Sequence, residues 1–554
     1  MPNKKWNIQA EYKKGDLVKQ LLKNRDIKNT GEFINIPSIG YYINNLKPVL
    51  KTSLGKAKKV IQDSIEKKDT IIVYGDYDAD GISATAIFIS YLRNELRYKN
   101  THYFIPNRFE HGYGLSKAGI EKCLNLYDIE KTQDVLWVTV DTGITANEEI
   151  EYLKSLSHRV VLTDHHQKPK ILPPSDVVVW SDEVVGATLS WLVVKFLGSK
   201  NNQNLSLAAL ATVTDLQPLM GFNRSIVKSG LEILNKKPPI GIQKLLQVSG
   251  RNNGEVATYD LGWVIGPRIN ALGRLGDAEE AVELLLATDT KKAEELAVKL
   301  NSINIERQDK TMEMYELTTE LDEKELPHII FSTHDNYHEG IIGLVAARLV
   351  QKYYRPSIVI SLDGDFGKGS VRSIPGINII ETLREFEHLF ENVGGHPMAA
   401  GFTIHRDNID ELEDEMVKYA QVNFPSDLFV PVLDIDMKIP AKVINLELLD
   451  EIDKLKPYGI GNAQPVFLTA DFGVAGVDWV GRENNHLLLK LFDGKDFLKA
   501  IYFNFNSDKN DYIPQIGDKI DVVYSLKRNE YNGKTNIDLV VKDIRMSEPS
   551  IDSE

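Results

Sequence analysis

The stretch DTIIVYGDYDADGIS, residues 69–83, places three carboxylates at alternate positions directly after an apolar run. These carboxylates belong to Asp76, Asp78 and Asp80. Alternate side chains of an extended chain point the same way, so the three are directed towards one place. Like charges a few Å apart repel by roughly 1 kcal/mol in water and by several times more at a partly buried site. The pattern therefore predicts a cation site at the end of a buried strand.

Three more short apolar runs follow, DVLWVTVD (134–141), RVVLTDHH (159–166) and DVVVWSD (176–182). They are rich in Val, Leu and Ile at successive positions, which is typical of parallel strands that are buried on both faces. The segments between them carry apolar residues with the 3.6-residue period of helices. Alternating strands and helices predict an α/β domain with a parallel sheet over roughly residues 40–225.

The pattern of apolar and polar residues changes in the rest of the chain. After a pair of prolines at 238–239 the pattern is mostly helical, and a second strand–helix–strand pattern follows it. The last part alternates apolar and polar residues in short strands, which indicates a small antiparallel barrel or sandwich. We expect an α/β domain with an N-terminal extension (1–225), a helical connector (226–325), a second α/β domain (326–428) and a C-terminal β domain with a short tail (429–554).

Composition and charge limit the class of protein. The 554 residues carry a net charge of −14, from 65 basic and 79 acidic residues. This balance argues mildly against a protein that only coats DNA, but acids that bind metal ions count fully in the sum and a local basic groove remains compatible with it. The single cysteine, Cys123, excludes an internal disulfide. With neither a signal-peptide pattern nor an 18-residue apolar run, we expect a cytoplasmic protein without membrane contact.

Metal-ligating residue types recur at the ends of the predicted strands. Asp141 ends the second strand, and a helical-looking segment, LAALATVTDLQPL, carries Asp215. The third strand ends in Asp164, His165 and His166. Ligands of parallel α/β sheets bind beyond the carboxyl ends of the strands. A donor set with more oxygen than nitrogen favours Mn²⁺ or Mg²⁺, and its size fits two cations that share a carboxylate better than one.

Simpler interpretations compete with this one. DYDADG fits the first half of a calcium loop, but position 12 would be Ile87 instead of a bidentate Glu, and a strand precedes it. Asp80 or Asp141 alone could serve as a helix cap, and a pair of adjacent histidines is more often exposed or buried in a core than metal-bound. Because all these residues fall at matching ends of one predicted sheet, the metal site is favoured.

The motifs GDYDADGIS, VDTG, TDHH and ATVTDLQPL resemble, in order and spacing, the four motifs of the DHH phosphoesterase superfamily. Further blocks, IPNRFEHGYGL, GPRINALGRLGDA, HEGIIGLVAARLV, GKGSVRSIPG, GGHPMAAGF and LKPYGIGNAQPVF, are similar to those of the RecJ family of bacterial single-stranded-DNA exonucleases. The resemblance covers about residues 70–470. It implies a DHH domain, a DHHA1-like second α/β domain and an OB-like C-terminal β-barrel.

The resemblance also implies roles for the acidic and histidine residues. One cation would be held by Asp78 and Asp141 with Asp76 nearby. The second would be held by Asp80, Asp141, His165 and Asp215, so that Asp141 bridges the two. His166 would contact the scissile phosphate, and Asp164 would orient its neighbours.

Substrate contacts are expected in the second α/β domain. In FGKGSVRSIPG, Lys368, Ser370 and Arg372 alternate and would share one strand face, where Arg and hydroxyl groups suit phosphate oxygens. The small residues around them could equally serve strand–helix packing. The resemblance adds Arg108, Arg268, Arg274 and His396 as phosphate contacts. Val371 and Pro397 stand where the family often has Gly and Ala, which changes the fit of the strand end without removing a contact.

The implied function is a metal-dependent exonuclease that degrades single-stranded DNA in the 5′→3′ direction, in DNA repair and recombination. Two divalent cations, Mn²⁺ or Mg²⁺, would activate water. The resemblance further implies a monomer that works beside a single-strand-binding protein and a helicase. Two alternatives are a DHH phosphoesterase acting on short oligoribonucleotides or cyclic dinucleotides, and a non-catalytic replication scaffold. Tyr502, Phe503 and Phe505 of the last domain could stack bases or fill its core, and the sequence leaves that open.

Overall fold

The computed structural model describes residues 4–548 except 113, 253, 319, 323–324, 482, 506–511 and 532–533. The chain forms two compact units. The first, called here the 31–308 unit, contains residues 31–308 and 457–463, and the second contains residues up to 30, 309–456 and from 464 onward. The N-terminal elements are β1 (Lys5–Ile8), α1 (Leu17–Asn24), α2 (Thr30–Ile34), α3 (Ile39–Asn44) and α4 (Pro48–Lys67).

A parallel sheet forms the centre of the 31–308 unit, as the apolar runs predict. Its elements are β2 (Thr70–Gly75), α5 (Ala79–Ile89), β3 (Thr101–Phe104), α6 (Arg108–His111), α7 (Lys117–Leu126), β4 (Val135–Val140), α8 (Asn147–Ser155), β5 (Arg159–Asp164), β6 (Val177–Trp180), α9 (Gly186–Leu197) and α10 (Asn204–Thr214). The strand order is β3-β2-β4-β5-β6, and every pairing is parallel. The carboxyl ends of β2, β4 and β5 therefore lie side by side.

Both faces of this sheet are buried, which explains the unbroken apolar runs. In β4, Leu136 and Val138 pack into the core on one face, and Val135 and Trp137 pack into the core on the other. The same alternation occurs in β2. A strand covered on both faces has no solvent side that polar residues could occupy. The short strand β3 is paired only with β2 and stands at the sheet edge.

Helices follow the sheet in the 31–308 unit, and the last of them continues past residue 308 into the residues of the second unit. They are α11 (Gly221–Lys236), α12 (Ile240–Val248), α13 (Gly266–Leu275), which continues directly from a π-helical turn at Asp260–Ile265, α14 (Glu279–Leu286) and α15 (Thr290–Glu316). The segment 457–463 also packs within this unit. Leu219 donates its N–H to the carbonyl of Ile460 at 2.8 Å, and Arg224 Nη1 donates to the carbonyl of Pro457 at 2.9 Å.

The second unit contains another α/β layer. Its elements are β7 (Ile330–His334), α16 (Ile342–Tyr353), β8 (Ser357–Asp363), β9 (Phe366–Arg372), α17 (Ile379–Arg384), β10 (Phe390–His396), β11 (Ala399–His405) and α18 (Ile409–Asn423). The sheet order is β10-β11-β9-β8-β7, with β7 and β8 parallel and the remaining pairs antiparallel.

The C-terminal elements are β12 (Val432–Ile435), β13 (Met437–Lys438), α19 (Leu446–Asp453), β14 (Phe467–Val480), β15 (His486–Phe492), β16 (Phe497–Tyr502), β17 (Lys519–Tyr531) and β18 (Lys534–Met546). The predicted β domain is present, but it is not wholly antiparallel, because β16 pairs with β18 in parallel. β1 joins this part of the chain by pairing with β12. None of the helices described is both long and apolar enough to cross a bilayer.

Candidate metal centre

The acidic stretch forms the turn between β2 and α5. Asp76 and Asp80 are buried there, and Asp78 is the N-cap of α5. Asp78 Oδ1 accepts the N–H groups of Asp80 and Gly81 at 2.9 and 3.0 Å. Capping satisfies helix N–H groups that have no partner within the helix. The cap therefore fixes the turn through one carboxylate oxygen of Asp78.

Asp80 is held by a second helix N-terminus. Its Oδ2 accepts the N–H of Gly186 and its Oδ1 accepts the N–H of Ala187, both at 2.7 Å, at the start of α9. The positive end of a helix dipole favours a carboxylate at this place. A helix cap and a metal ligand are thus compatible functions of the same side chain.

Asp141 follows β4 with a left-handed backbone, φ +61°, and donates its N–H to the carbonyl of Thr163 at 3.0 Å. Non-glycine residues adopt this conformation rarely, and they are concentrated at functional sites. Gly186 packs directly against this carboxylate, because a Cβ at Gly186 would lie 2.5 Å from Asp141 Cβ. The absence of a side chain there leaves the space that Asp141 occupies.

Three carboxylates surround one imidazole nitrogen. His165 Nε2 lies 3.1 Å from Asp141 Oδ1, 3.5 Å from Asp80 Oδ2 and 3.8 Å from Asp215 Oδ2. Asp215 is the C-cap of α10, so four separate segments supply these donors. The structure therefore brings together Asp80, Asp141, His165 and Asp215.

A second group of donors adjoins the first. Ligand atoms of Asp76, Asp78 and Asp141 lie within 4.8 Å of one another, as do those of Asp80, His165 and Asp215 and those of Asp141, His165 and His166. Asp141 belongs to two of these groups, one with Asp76 and Asp78 and the other with His165 and His166. This is the arrangement in which one carboxylate can serve two cations.

Burial and mutual repulsion make the acidic residues hard to ionise. Burial, with the charge of Asp78, raises the pKa of Asp76 to about 8. Burial and the charge of Asp78 raise the pKa of Asp215 to about 6. Burial and neighbouring carboxylates raise the pKa values of Asp80 and Asp141 well above their usual range. A divalent cation would offset this repulsion and favour the charged forms.

The two adjacent histidines differ in electrostatic state. Burial and the neighbouring His166 lower the pKa of His165 to about 4, which leaves its imidazole neutral and able to bind a metal. Burial alone would lower the pKa of His166, but its Nδ1 lies 2.8 Å from Asp164 Oδ1, and this contact with the nearby carboxylates raises the pKa to about 9. His166 is therefore cationic at neutral pH.

Asp164 holds this corner of the site rigidly. Its Oδ1 accepts the backbone N–H groups of His165 and His166 at 2.7 and 3.0 Å, and its Oδ2 accepts the N–H of Ile144 at 2.8 Å. Burial would raise the pKa of Asp164, but the contacts with His166 and these N–H groups lower it. Both oxygens of Asp164 therefore accept hydrogen bonds from the protein itself, which fixes the backbone that carries His165 and His166.

The donor set fits divalent cations. Asp141 Oδ1 is buried and accepts no hydrogen bond from the described residues, although His165 Nε2 faces it at 3.1 Å. A buried carboxylate oxygen without a hydrogen bond is costly unless a charge compensates it. Oxygen donors with one imidazole are the ligands of Mn²⁺ and Mg²⁺ rather than of softer metals. We therefore expect such ions to bind here.

The Mn²⁺-induced rise in melting temperature should be larger at about pH 8 than at about pH 6. A carboxyl group whose pKa is raised by folding, such as Asp76 at about 8 or Asp215 at about 6, stabilises the fold below its unfolded pKa. That contribution is lost as the pH rises through the folded value, and Mn²⁺ compensates the loss because it binds the charged form. Calorimetry with and without Mn²⁺ measures the effect. A shift that is independent of pH, or one that K⁺ reproduces at equal ionic strength, would contradict this expectation.

The predicted arginines of the 31–308 unit lie on α6 and α13. Arg108 approaches the ring of Tyr77, with Cζ 5.9 Å from its centroid, and Tyr77 adjoins Asp76. The charge of Arg274 lowers the pKa of Tyr77, which burial raises overall, so this guanidinium is also near the acidic turn. Arg268 donates to Asn301 Oδ1 at 3.0 Å and to the carbonyl of Val264 at 2.7 Å.

The predicted contacts of the second unit share one face of β9. Lys368, Ser370 and Arg372 alternate with residues that are buried, including Val371. Arg372 Nη1 donates to Ser370 Oγ at 3.2 Å. The first turn of α16 adjoins this pair, because a Cβ at Gly343 would lie 2.9 Å from Arg372 Nη2 and 3.0 Å from Ser370 Oγ. His396 is exposed at the end of β10 and pairs with Ala399 across a hairpin.

Two contributors to the centre lack a sequence signal of their own. Gly186 gives Asp141 its space and Asp80 a hydrogen bond. Asn270 of α13 accepts the N–H of Ala79 through Oδ1 at 2.7 Å and so supports the acidic turn from another helix. Gly186 is the first residue of α9, but nothing in the sequence connects it with Asp141, just as nothing connects residue 270 with residue 79.

Comparison with known proteins gives three domain matches. Residues 70–214 match the family model described as DHH family, N-terminal domain, residues 326–421 match the DHHA1 domain, and residues 435–543 match the RecJ OB domain. The first match contains every predicted metal ligand except Asp215. The predicted combination of a DHH domain, a DHHA1 domain and an OB domain is confirmed.

Relatives of known name share most of the chain. Single-stranded-DNA-specific exonuclease RecJ of Bacillus subtilis is 31% identical over 90% of this chain, which spans 64% of that relative's length. The protein of the same name from Haemophilus influenzae is 30% identical over 95% of this chain and 99% of its own. The crystal structure of RecJ in complex with Mn²⁺ from Thermus thermophilus has a TM-score of 0.81 at 26% identity, covering 98% of this chain and 80% of that chain. A crystal structure of the same protein in complex with Mg²⁺ gives a TM-score of 0.74. The chain therefore belongs to the RecJ family of single-stranded-DNA-specific exonucleases, hydrolases with a DHH catalytic domain.

Proposed function

We propose that this chain hydrolyses the phosphodiester bonds of single-stranded DNA from the 5′ end, using two divalent cations, Mn²⁺ or Mg²⁺. The names of its relatives support the substrate class. The observation that carries the proposal is the position of Asp141. Its carboxylate belongs both to the donor group of Asp76 and Asp78 and to the donor group of the two histidines. Paired cations would activate a water and stabilise the charge that develops on a phosphodiester.

The protein's own groups contribute positioning and charge. Asp76 and Asp78 would hold one cation together with Asp141, and the ligand set of the other would be Asp80, Asp141, His165 and Asp215. His166 is cationic and exposes about a third of its side chain, 37%, so it can donate a hydrogen bond to the scissile phosphate. Asp164 keeps that imidazole protonated and fixes its orientation.

The exposed face of β9 would bind the DNA backbone. Arg372 and Ser370 offer guanidinium and hydroxyl donors beside the N-terminal turn of α16. A helix N-terminus with an adjacent arginine is a favourable environment for phosphate oxygens. Lys368 extends the same face and donates to Thr403 Oγ1 at 3.1 Å. His396, Arg108, Arg268 and Arg274 would add further phosphate contacts.

We also propose a cellular role that is consistent with the class of substrate. We place the reaction in the cytoplasm, in DNA repair and recombination, with the chain acting as a monomer. A single-strand-binding protein and a helicase would supply the unpaired strand that it degrades. The domain boundaries 1–225, 226–325, 326–428 and 429–554 remain our proposed division of the chain.

End-labelled oligonucleotides test this function. With Mn²⁺, a single strand labelled at its 5′ end should release its label as the first product, and a strand labelled at its 3′ end should shorten progressively. A blunt duplex of the same sequence should remain intact. Chelation with EDTA should stop the reaction, and excess Mn²⁺ should restore it.

Outcomes that contradict the proposal are equally specific. Release of a 3′ label first would reverse the direction, and hydrolysis in excess EDTA would exclude the two-cation arrangement. Cyclic dinucleotides and short oligoribonucleotides in parallel reactions separate this exonuclease from small-substrate phosphoesterases. Turnover of those substrates alone would favour the small-substrate class, and no turnover at all would favour a scaffold.

A further inference from the structure

Two aromatic rings are exposed at the start of the helix that leads into α13. Tyr259 and Trp263 are 64% and 72% exposed, and their ring centroids lie 6.5 Å apart with the planes inclined by 25°. Single exposed apolar residues are normal on a protein surface, but Trp is highly buried on average. Two neighbouring flat rings on one helical face suggest a surface that is covered when a ligand binds.

This helix touches the metal-binding turns at two places. Asn270 accepts the N–H of Ala79, which lies between Asp78 and Asp80. Gly266 packs against the last residue of α10, since a Cβ there would lie 2.4 Å from Thr214 Cγ2. Trp263 precedes Asn270 by seven residues, or about 10 Å along a helix. The aromatic pair thus lies on the same helical segment that supports the acidic turn, about two helical turns before Asn270.

The acidic residue next to Tyr259 is already paired with a basic residue. The carboxylate of Asp260, next to Tyr259, is buried and paired with Arg251 Nε at 2.7 Å, so it does not repel a polyanion. Exposed aromatic rings bind unpaired nucleobases by stacking, with little dependence on base identity. Bases within a duplex are already stacked and offer no free face. A stacking surface here would therefore select single strands as well as position them.

We propose that Tyr259 and Trp263 form a stacking platform for unpaired bases of the strand that enters the catalytic centre. This inference rests on the proposed function and deepens it, because it assigns a determinant of single-strand selection outside the metal ligands and phosphate contacts. A protein partner is the competing occupant of the same surface, and the experiment below distinguishes the two.

The test compares the full-length protein with Trp263→Ala and Trp263→Phe. Binding is measured in Mn²⁺ with phosphorothioate oligonucleotides that resist hydrolysis, intact or carrying one abasic site at successive positions. Trp263→Ala should bind the intact strand about 5- to 150-fold more weakly, the range for one stacked base. Trp263→Phe should recover most of the affinity. An abasic site at one particular position should weaken binding of the parent protein but cause no further loss in Trp263→Ala.

Tyr41→Ala is the matched control, because Tyr41 is a 49% exposed aromatic residue of the same unit. It should bind like the parent, and all variants should melt at the parent's temperature. Parental binding by Trp263→Ala would overturn the proposal and leave the surface to a protein partner. An equal loss for intact and abasic strands at every position would also overturn it, since that indicates a general structural defect. If the parent binds these strands but does not hydrolyse an ordinary phosphodiester strand of the same sequence, the proposed function would be contradicted instead.

Discussion

Asp141→Asn should reduce DNA hydrolysis by about 1,000-fold or more, the equivalent of several kcal/mol of transition-state stabilisation. Asp141 is shared by two donor groups, one with Asp76 and Asp78 and one with the two histidines, so its loss affects both cation positions. Asn is nearly isosteric and tolerates the left-handed backbone at φ +61°. The substitution also removes a buried charge that its neighbours repel, and folding should therefore be preserved. Single-turnover hydrolysis of a 5′-labelled strand in Mn²⁺ measures the loss.

Asp128→Asn provides a control that is matched in backbone conformation. Asp128 is exposed and also has a left-handed backbone, φ +52°, but it belongs to none of the donor groups. Its substitution should leave hydrolysis and melting temperature unchanged. If Asp141→Asn retained activity within a few-fold of the parent, with the same dependence on Mn²⁺, a shared carboxylate would not be needed and the two-cation arrangement would be wrong.

Gly186→Ala should lower hydrolysis by about 100-fold or more, although it removes no ligand. The new Cβ would lie 2.5 Å from Asp141 Cβ and 2.6 Å from Asp141 Oδ1, far inside contact distance. Either the carboxylate or the start of α9 must move, and a displacement of about 1 Å in a catalytic group can cost 100-fold in rate. Titration with Mn²⁺ should show weaker binding, which separates a displaced ligand from an effect on the substrate.

Gly55→Ala is the corresponding control. Gly55 is an exposed residue of α4, and a Cβ there would meet nothing within 4 Å. Alanine in a helix interior is more stable than glycine by roughly 0.5–1 kcal/mol, so this variant should be fully active and slightly more stable. Full activity and parental Mn²⁺ affinity in Gly186→Ala would show that the centre tolerates the added methyl group, contrary to the packing described.

Much of the geometry of the candidate centre could be predicted from the sequence, because most of the predicted ligands come directly after a strand or helix whose apolar pattern identifies it. Parallel order then determines which strand ends are neighbours, and this brought Asp76, Asp141 and His165 into one prediction. The strand β3 was missed because THYF is short, partly polar and placed at the sheet edge. An edge strand lacks the continuous apolar run that two covered faces require.

The remaining features depend on contacts between distant segments. Gly186 matters only because Asp141 packs against it, and Asn270 only because α13 reaches Ala79. The pairing of β1 with β12 joins Lys5 to Val432, and no local pattern specifies it. Likewise, no local pattern specifies that β16 pairs with β18 in parallel. Local propensity predicts individual helices and strands, whereas these contacts arise only when the whole chain is folded.

The segment 457–463 makes the 31–308 unit discontinuous in sequence. Its carbonyl groups receive hydrogen bonds from Leu219 and Arg224, in the loop and helix that follow Asp215. During synthesis on the ribosome, which proceeds from the N-terminus, these bonds can form only once residue 460 has emerged. The 31–308 unit is therefore completed late in translation, after the second α/β layer has been synthesised. A nascent or prematurely terminated polypeptide would carry every predicted cation ligand and still lack the hydrogen bonds that this segment makes with Leu219 and Arg224.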